Sequence, residues 1–402
     1  MKKGWEIKKL GEVAEYFIGL TYSPKNVSDK GIIVLRSSNI QNGLLDLTDL
    51  VRVNQLVKDK LIVKEGDILM CSRNGSQRLV GKTATIPKLN EEMTFGTFMT
   101  VIRSQYNPFL SWFFISNEFR EQITGGSNPM INQITRYMLD DVKLNLPPLP
   151  EQQRIISILD ETFSSIEQAK ENLQRNLQNA KELFQSELNS IFTNKGEGWE
   201  ETTLKANIEL STGFAFKSKF YTDNEDDILL LRGDNIMQGN FRWQDAKRWN
   251  KSEYEDYEKY QLQENDIVLA MDRPWVKAGL KCAKLTKNEL PSLLVQRTAR
   301  LRATSKIDSS FLYHLIRSRG FIAYLLKGQT GLGVPHISGP QILSFIFSKP
   351  SIIDQQKIVQ QLDKLSTETK RLEAMYQQKL DALEELKKSI LQKAFSGELS
   401  EN

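Results

Sequence analysis

Between Ser72 and Asn90 the chain carries Arg73, Arg78, Lys82 and Lys88 and no acidic residue, interleaved with Asn74, Ser76 and Gln77. Guanidinium and amide side chains can pair in two places with the edges of bases, whereas an ammonium is a point charge suited to phosphate. A second stretch of this kind lies in the other half of the chain. There Arg273, Trp275, Lys277, Lys281, Lys284 and Lys287 are followed by Arg297, Arg300 and Arg302. Each stretch comes after a short apolar run, Asp67–Cys71 in the first case, which predicts a strand that fixes the base of a Gly-containing loop. The chemistry indicated is contact with nucleic acid. Thr21–Lys25 and Gly213–Lys219 have a similar but weaker character, for which turn chemistry is sufficient.

Reaction chemistry is not indicated. The sequence has no Walker-type phosphate loop, no G-x-G-x-x-G, no G-x-S-x-G and no H-E-x-x-H. Asn107-Pro108-Phe109 and Asn128-Pro129-Met130 lack the second proline of the Asn-Pro-Pro-aromatic motif of amino-methyltransferases and read as turns. His314 sits among Phe311, Leu312 and Leu315, and His336 beside Pro335, settings more often found in cores and loops than in acid–base catalysts. Asp140-Asp141 and Asp226-Asp227 read as surface or capping charges. Two cysteines, Cys71 and Cys282, cannot form a disulfide framework, and no zinc-ligand spacing exists, so a reduced, metal-free, cytoplasmic protein is expected. The basic N-terminus runs straight into polar residues, and Phe109–Ile115 is far too short to span a bilayer, so neither export nor membrane insertion is expected. With a net charge of only +4, the case for nucleic acid rests on where the basic residues cluster.

The elements that must carry these loops emerge from an internal repeat. At 402 residues the chain is long enough for two or more domains. Residues 151–192 align without a gap on residues 354–395, with 12 of 42 positions identical, where average composition gives roughly two or three. Landmarks upstream recur in the same order. Gly4-Trp5-Glu6 returns as Gly198-Trp199-Glu200, Arg36-Ser37-Ser38-Asn39-Ile40 as Arg232-Gly233-Asp234-Asn235-Ile236, and Glu65-Gly66-Asp67-Ile68 as Glu264-Asn265-Asp266-Ile267. Thr124-Gly125 through Pro129 likewise matches Thr330-Gly331 through Pro335. Two unrelated domains with a shared helical bias would not repeat such non-helical landmarks. The chain reads as a tandem duplication, a globular head followed by a long helix, twice.

The first helix is announced by Pro150 and Glu151, a proline suited to the first helical position and an acid that complements the positive end of the helix dipole. Leu159, Ile166, Leu173 and Ala180 recur every seven residues, and Phe163, Leu177, Phe184 and Ile191 fill the other seam position except at Lys170. In the second helix Leu362, Tyr376, Leu383 and Ile390 form one row and Leu365, Leu372 and Leu386 the other, with Gly397 as the stop. Each helix of about 42 residues measures about 63 Å at ~1.5 Å per residue. The first helix delivers the chain from one head to the other, so a second helix packed on it through the apolar seam must run antiparallel. Two heads at the ends of such a rod would suit half-sites about one to two helical turns apart, at ~34 Å per turn.

These features together resemble the DNA-specificity (S) subunit of a type I restriction-modification system, along the whole chain. The residues that carry the resemblance are Leu146-Pro147-Pro148-Leu149-Pro150-Glu151-Gln152-Gln153, Glu65-Gly66-Asp67-Ile68-Leu69-Met70 and Ala394-Phe395-Ser396-Gly397-Glu398-Leu399. Lys349-Pro350-Ser351-Ile352-Ile353-Asp354 departs from the pattern at the second junction. The resemblance implies an α+β protein, a tandem duplication of two mixed α/β target recognition domains (1–148 and 196–349). Each is followed by a long spacer helix (149–195 and 350–402), and the helices pair as an antiparallel coiled coil. It also implies that each head reads one half of a bipartite, asymmetric target in double-stranded DNA. The helices would set the spacing and dock two methyltransferase subunits, and restriction subunits through them. It implies no cofactor in this chain, with S-adenosylmethionine and ATP/Mg on the partners. Two rivals are an enzyme complete in itself, which the missing motifs disfavour, and a coiled-coil scaffold with no DNA role.

Overall fold

The computed structural model describes residues 2–124, 132–276, 279–327 and 336–400. Lys277 and the landmarks Gly125–Pro129 and Gly331–Pro335 lie outside the described residues. The chain divides into two compact units, one formed by residues 1–174 with 377–402 and the other by residues 175–376.

In the first unit a four-stranded antiparallel sheet has the order Glu15–Ile18, Met99–Arg103, Ile68–Cys71, Thr83–Thr85. Ile68–Cys71 is apolar at every position because it is an inner strand with a core on each face. Its side chains alternate, so Ile68 and Met70 enter one hydrophobic cluster while Leu69 and Cys71 enter another. The second unit repeats the order with Ile208–Thr212, Thr298–Ala303, Ile267–Ala270 and Cys282–Lys284. Ile267 and Leu269 again face one cluster, Val268 and Ala270 another. Smaller sheets recur too: Glu6–Lys9 pairs with Lys143–Leu146, and Glu200–Thr203 with Ile346–Lys349.

The Glu-Gly-Asp-Ile and Glu-Asn-Asp-Ile landmarks are the turns that start the inner strands. Gly66 and Asn265 take φ of 82° and 71°, the left-handed region that these two residue types adopt most readily. The next residue closes each turn: Asp67 accepts the Lys64 N–H at 2.8 Å and Asp266 the Gln263 N–H at 2.8 Å. Each buried carboxylate also receives an arginine fork from the neighbouring strand. Arg103 reaches Asp67 at 2.8 and 2.6 Å, and Arg302 reaches Asp266 at 2.7 and 2.7 Å. The hydrogen bond it donates to Asp67 is the main reason the Arg103 pKa lies above its ordinary value.

The long helices span Leu149–Thr193 and Ile352–Ser396, so Pro150 is the second helical residue and Gly397, at φ 87°, follows the last turn of the other. Both begin on one device. Gln152 donates from Nε2 to the Pro147 carbonyl at 2.7 Å and Gln355 to the Pro350 carbonyl at 2.9 Å, both side chains buried. Within the first unit Lys170 pairs with Glu384 at 2.6 Å and Glu167 with Lys387, so one number falls as the other rises and the helices run antiparallel. Within the second unit Gln361 donates to Glu187 at 2.8 Å. Lys170, the interruption in its apolar row, is thus an interhelical ion-pair partner.

Ile166 and Ala180 are buried, and Leu173, Leu177, Leu372, Leu383 and Ile390 are half-buried along the helices. Leu386 is a correction. It is 45% exposed, while the neighbouring Lys387 places its Nζ over the Phe163 ring. At 3.6 residues per turn the apolar stripe drifts by one position from a strict seven-residue repeat. Near the helix starts and ends the same stripes face the heads. Leu159 belongs to the first head's core, and Leu362 is fully buried. Phe184 lies beside the His314 ring and under the Arg317 guanidinium of the second head.

Each head is completed by the end of a helix. In the first unit Phe395 stacks edge-on against Phe109 and Phe113, with centroids 5.2 and 5.4 Å apart, and Leu391 and Ala394 join the same cluster. In the second unit Phe192 takes the equivalent place, 5.2 Å from Phe311.

The junction of the second head with the second long helix contains a titratable group. His314 is buried, and its Nε2 lies 3.1 Å from Asp363 Oδ1. The first unit has Trp112 Nε1 donating to Asp160 Oδ1 at 3.2 Å in the matching position. Burial pushes the His314 pKa below 6.5, and Arg317 and Lys284 act the same way while Asp363 opposes them. The unfolded chain therefore binds a proton near the ordinary value and the folded chain only at lower pH. Stability from this group is intact above about pH 6.5 and is lost as pH falls toward the depressed value. The unfolding temperature of the second unit is expected to drop between about pH 7 and pH 5. His314→Gln, which keeps a donor toward Asp363, should flatten that dependence in a thermal-denaturation series.

Candidate nucleic-acid interface

The loop after Ile68–Cys71 is closed at its base like a hairpin, with Cys71 N–H donating to Lys82 O and Gly81 N–H to Cys71 O, each at 2.8 Å. Three other segments meet it. The N–H groups of Ser72 and Arg73 both donate to Phe98 O at 3.0 Å, which brings in the turn at Gly96–Phe98. Ile134 N–H donates to Ser72 O at 2.8 Å, and Arg73 bridges Gln133. Asn74 Nδ2 donates to Ser37 Oγ at 3.0 Å, tying in the Arg-x-x-Asn-Ile landmark.

Within this cluster Arg73, Ser76 and Arg78 are exposed and Lys82 is half-buried. Asn74 commits both amide atoms inside the head, because its Oδ1 also accepts the Ser76 N–H at 2.9 Å. It ties the loop to Ser37 and to its own Ser76 turn. Gln77 donates to Asn132 Oδ1 at 2.8 Å, which leaves its own carbonyl oxygen outward-capable.

The second head builds the same arrangement from different side chains. Met271 N–H donates to Arg297 O at 2.9 Å, Ile337 N–H donates to Met271 O at 2.8 Å, and Asp272 bridges His336. Arg273 is exposed, and the half-buried Trp275 pairs with Leu280 in a short hairpin. Lys281 is buried, and that burial pulls its pKa below the ordinary value despite Asp234 nearby. Lys284 is half-buried with its Nζ on Ser310 Oγ at 2.7 Å. Arg300 is buried, and Arg302 is held by Asp266. These four basic residues are drawn into the head, while among the described basic residues of this stretch Arg273, Lys287 and Arg297 are exposed. The weaker stretches have structural explanations. Ser23 and Asn26 close a turn over Pro24–Asn26, and a Cβ on Gly213 would stand 2.1 Å from Val295 O.

Sequence reasoning did not link Ser37, Phe98, Asn132, Gln133 or Asp272 to these loops. His336, read as a core or loop residue, is exposed in a loop, and its Nδ1 contacts Asp272. The repeated Arg-x-x-Asn-Ile landmark was the available signal for Ser37. Among the described residues no group of three His, Cys, Asp or Glu side chains could hold a metal ion, and no helix is long and apolar enough to cross a membrane.

Two heads of one topology, each gathering a polar loop cluster at the same place, match a family in duplicate. The family described as "Type I restriction modification DNA specificity domain" covers residues 2–175 and again 196–384. The chain belongs to that family. It is a DNA-specificity subunit, the non-catalytic recognition component of a type I restriction-modification system. The specificity subunit of the type I restriction enzyme EcoKI from Escherichia coli K12 is 28% identical, over 100% of this chain and 90% of that protein. The MjaVIII specificity subunit of Methanocaldococcus jannaschii is 24% identical over 98% and 93%. The fold is shared with the crystal structure of the HsdS subunit from Thermoanaerobacter tengcongensis, with a TM-score of 0.64 and 18% identity over 99% and 98% of the two chains. It is shared more closely, at a TM-score of 0.77 and 17% identity over 99% of each chain, with a chain from a structural study of type I R-M complex assembly and conformational transition.

Proposed function

We propose that residues 1–148 and 196–349 of this specificity subunit each read one half of a bipartite, asymmetric sequence in double-stranded DNA. The helical segments 149–195 and 350–402 set the spacing of the halves and dock two methyltransferase subunits. Restriction subunits join through those, and S-adenosylmethionine and ATP/Mg act on the partners, in the cytoplasm. The observation that supports this most is the recurrence of one loop cluster on two heads with different outward side chains: Arg73, Gln77 and Arg78 in one, Arg273 and Arg297 in the other. A shared scaffold with changed reading groups is what two independent half-sites require.

Of the basic residues in the first head, Arg73 can form a bidentate pair with a guanine edge and Lys88 is suited to phosphate. Arg73→Ala is expected to cost about 1–3 kcal/mol of binding and to relax one base pair of the first half-site. Lys88→Ala should weaken all duplexes alike and reduce the salt slope by about one. Mobility shifts on specific and random duplexes, across a salt series and with the methyltransferase subunit present, read both. Equal loss on both duplexes for Arg73→Ala would move base reading elsewhere in the head, and no change for either variant would remove the loop from the interface.

A further inference from the structure

Five non-glycine residues among those described have positive φ: Asn42, Asp245, Asn265, Arg273 and Arg297. Asn and Asp tolerate this region, since their short side chains bond locally, so three of the five need no special explanation. The two arginines do. They stand at φ 47° and 65° in the same loop cluster of the second head, on the two segments that Met271 N–H and Arg297 O join. Backbone strain on long side chains persists where the surroundings over-determine it, and such places concentrate at functional sites.

Between them lies Asp272. Its Oδ2 forms an ion pair with Arg297, 3.1 Å from Nε, and its Oδ1 contacts His336 Nδ1, so the carboxylate has a partner on each side. Arg297 is 71% exposed at its side chain. An ion pair on the Nε side of the guanidinium leaves its two terminal nitrogens as an outward fork, spaced for the O6 and N7 atoms of guanine in the major groove. The equivalent residue of the first head, whose carbonyl accepts from Ser72 and Arg73, is Phe98, also exposed and apolar. One scaffold position therefore carries a polar fork in one head and an apolar ring in the other, as expected where the two heads read different bases.

We propose that Arg297 is a base-reading residue of the second head, pairing with one guanine of its half-site, and that Asp272 and His336 are positioning residues that orient it. This rests on the reading that the heads recognise DNA. Arg297 comes from the turn between strands that meets the basic loop at Met271 and Asp272.

The test is selection of binding sites by the full-length chain assembled with its methyltransferase subunit, from duplexes with both half-sites randomised in turn. Arg297→Gly relieves the backbone while removing the fork, and Arg297→Lys keeps the charge without the fork. Both are expected to lose a guanine preference at one position of the second half-site, by roughly 5- to 150-fold for the glycine variant and less for the lysine variant. The first half-site should be unchanged, and lysine should retain affinity for random duplex. Asp272→Ala should blur the same position, and Asp272→Asn, which keeps the shape and an oxygen beside Nε, should restore part of the preference. A merely structural role for Asp272 would instead lower the melting temperature and affect every position. Retained preference in Arg297→Gly, or a uniform loss that Arg297→Lys rescues completely, would overturn the proposal and make Arg297 a phosphate contact or a bystander. Absence of any selection by the wild-type complex would overturn DNA reading itself, and this inference with it.

Discussion

Asp67→Ala is expected to destabilise the first unit by about 3–5 kcal/mol, the cost of leaving an arginine partly buried with its partner removed. Asp67 is 3% exposed at its side chain, while Arg103 is 23% exposed and also bonds the Ile62 carbonyl, so water replaces only part of what is lost. The same substitution opens the Lys64–Asp67 turn that starts the inner strand and therefore acts on the base of the loop after Ile68–Cys71. In a unit of this size the melting temperature should fall by roughly 10 °C. Asp266→Ala should have the mirror effect in the second unit. Replacing Asp67 and Arg103 together by apolar residues of similar volume should be much milder than the single change, because no uncompensated charge remains. Denaturant unfolding, with hydrogen exchange to localise the change, measures all three. A loss below about 1 kcal/mol for Asp67→Ala would show the pair to be solvated like a surface bridge.

Phe395→Ala is expected to cost about 3–5 kcal/mol in the same unit, since a fully enclosed ring leaves a cavity that its neighbours fill only partly. Phe395 is 2% exposed among Phe109, Phe113, Leu391 and Ala394, and its carbonyl accepts from Asn145 Nδ2 at 3.3 Å. Phe192→Ala in the second unit should cost less, because Phe192 is only partly buried, against Phe311. If Phe395→Ala leaves the first unit's unfolding unchanged, the helix end is an ornament on the head rather than part of its core.

What could be read beforehand followed the range of each signal. Helix registers, the duplication and the recurring Glu-Gly-Asp-Ile and Glu-Asn-Asp-Ile landmarks are local or periodic, and a few residues suffice to state them. The loop residues were found, but their surroundings were not, because Phe98, Ser37 and Gln133 reach Arg73 and Asn74 only through tertiary hydrogen bonds. Burial of basic residues was equally invisible. Lys281 and Lys284 share the composition of a phosphate-binding surface, yet the strand Cys282–Lys284 and the packing beside it enclose them. Sequence shows an ammonium and its stem but not which of them the fold covers. Leu386 failed for a geometric reason: a seven-residue repeat and a 3.6-residue turn part company over several turns.

The most direct measurement is a methylation map of a host in which residues 1–148 are replaced by the first head of another type I system, with the helices and second head left intact. Methylation is predicted to change in one half of the target only, with the other half and the spacer length conserved. Altered bases in both halves, or a changed spacer with unchanged bases, would contradict two heads that read independently.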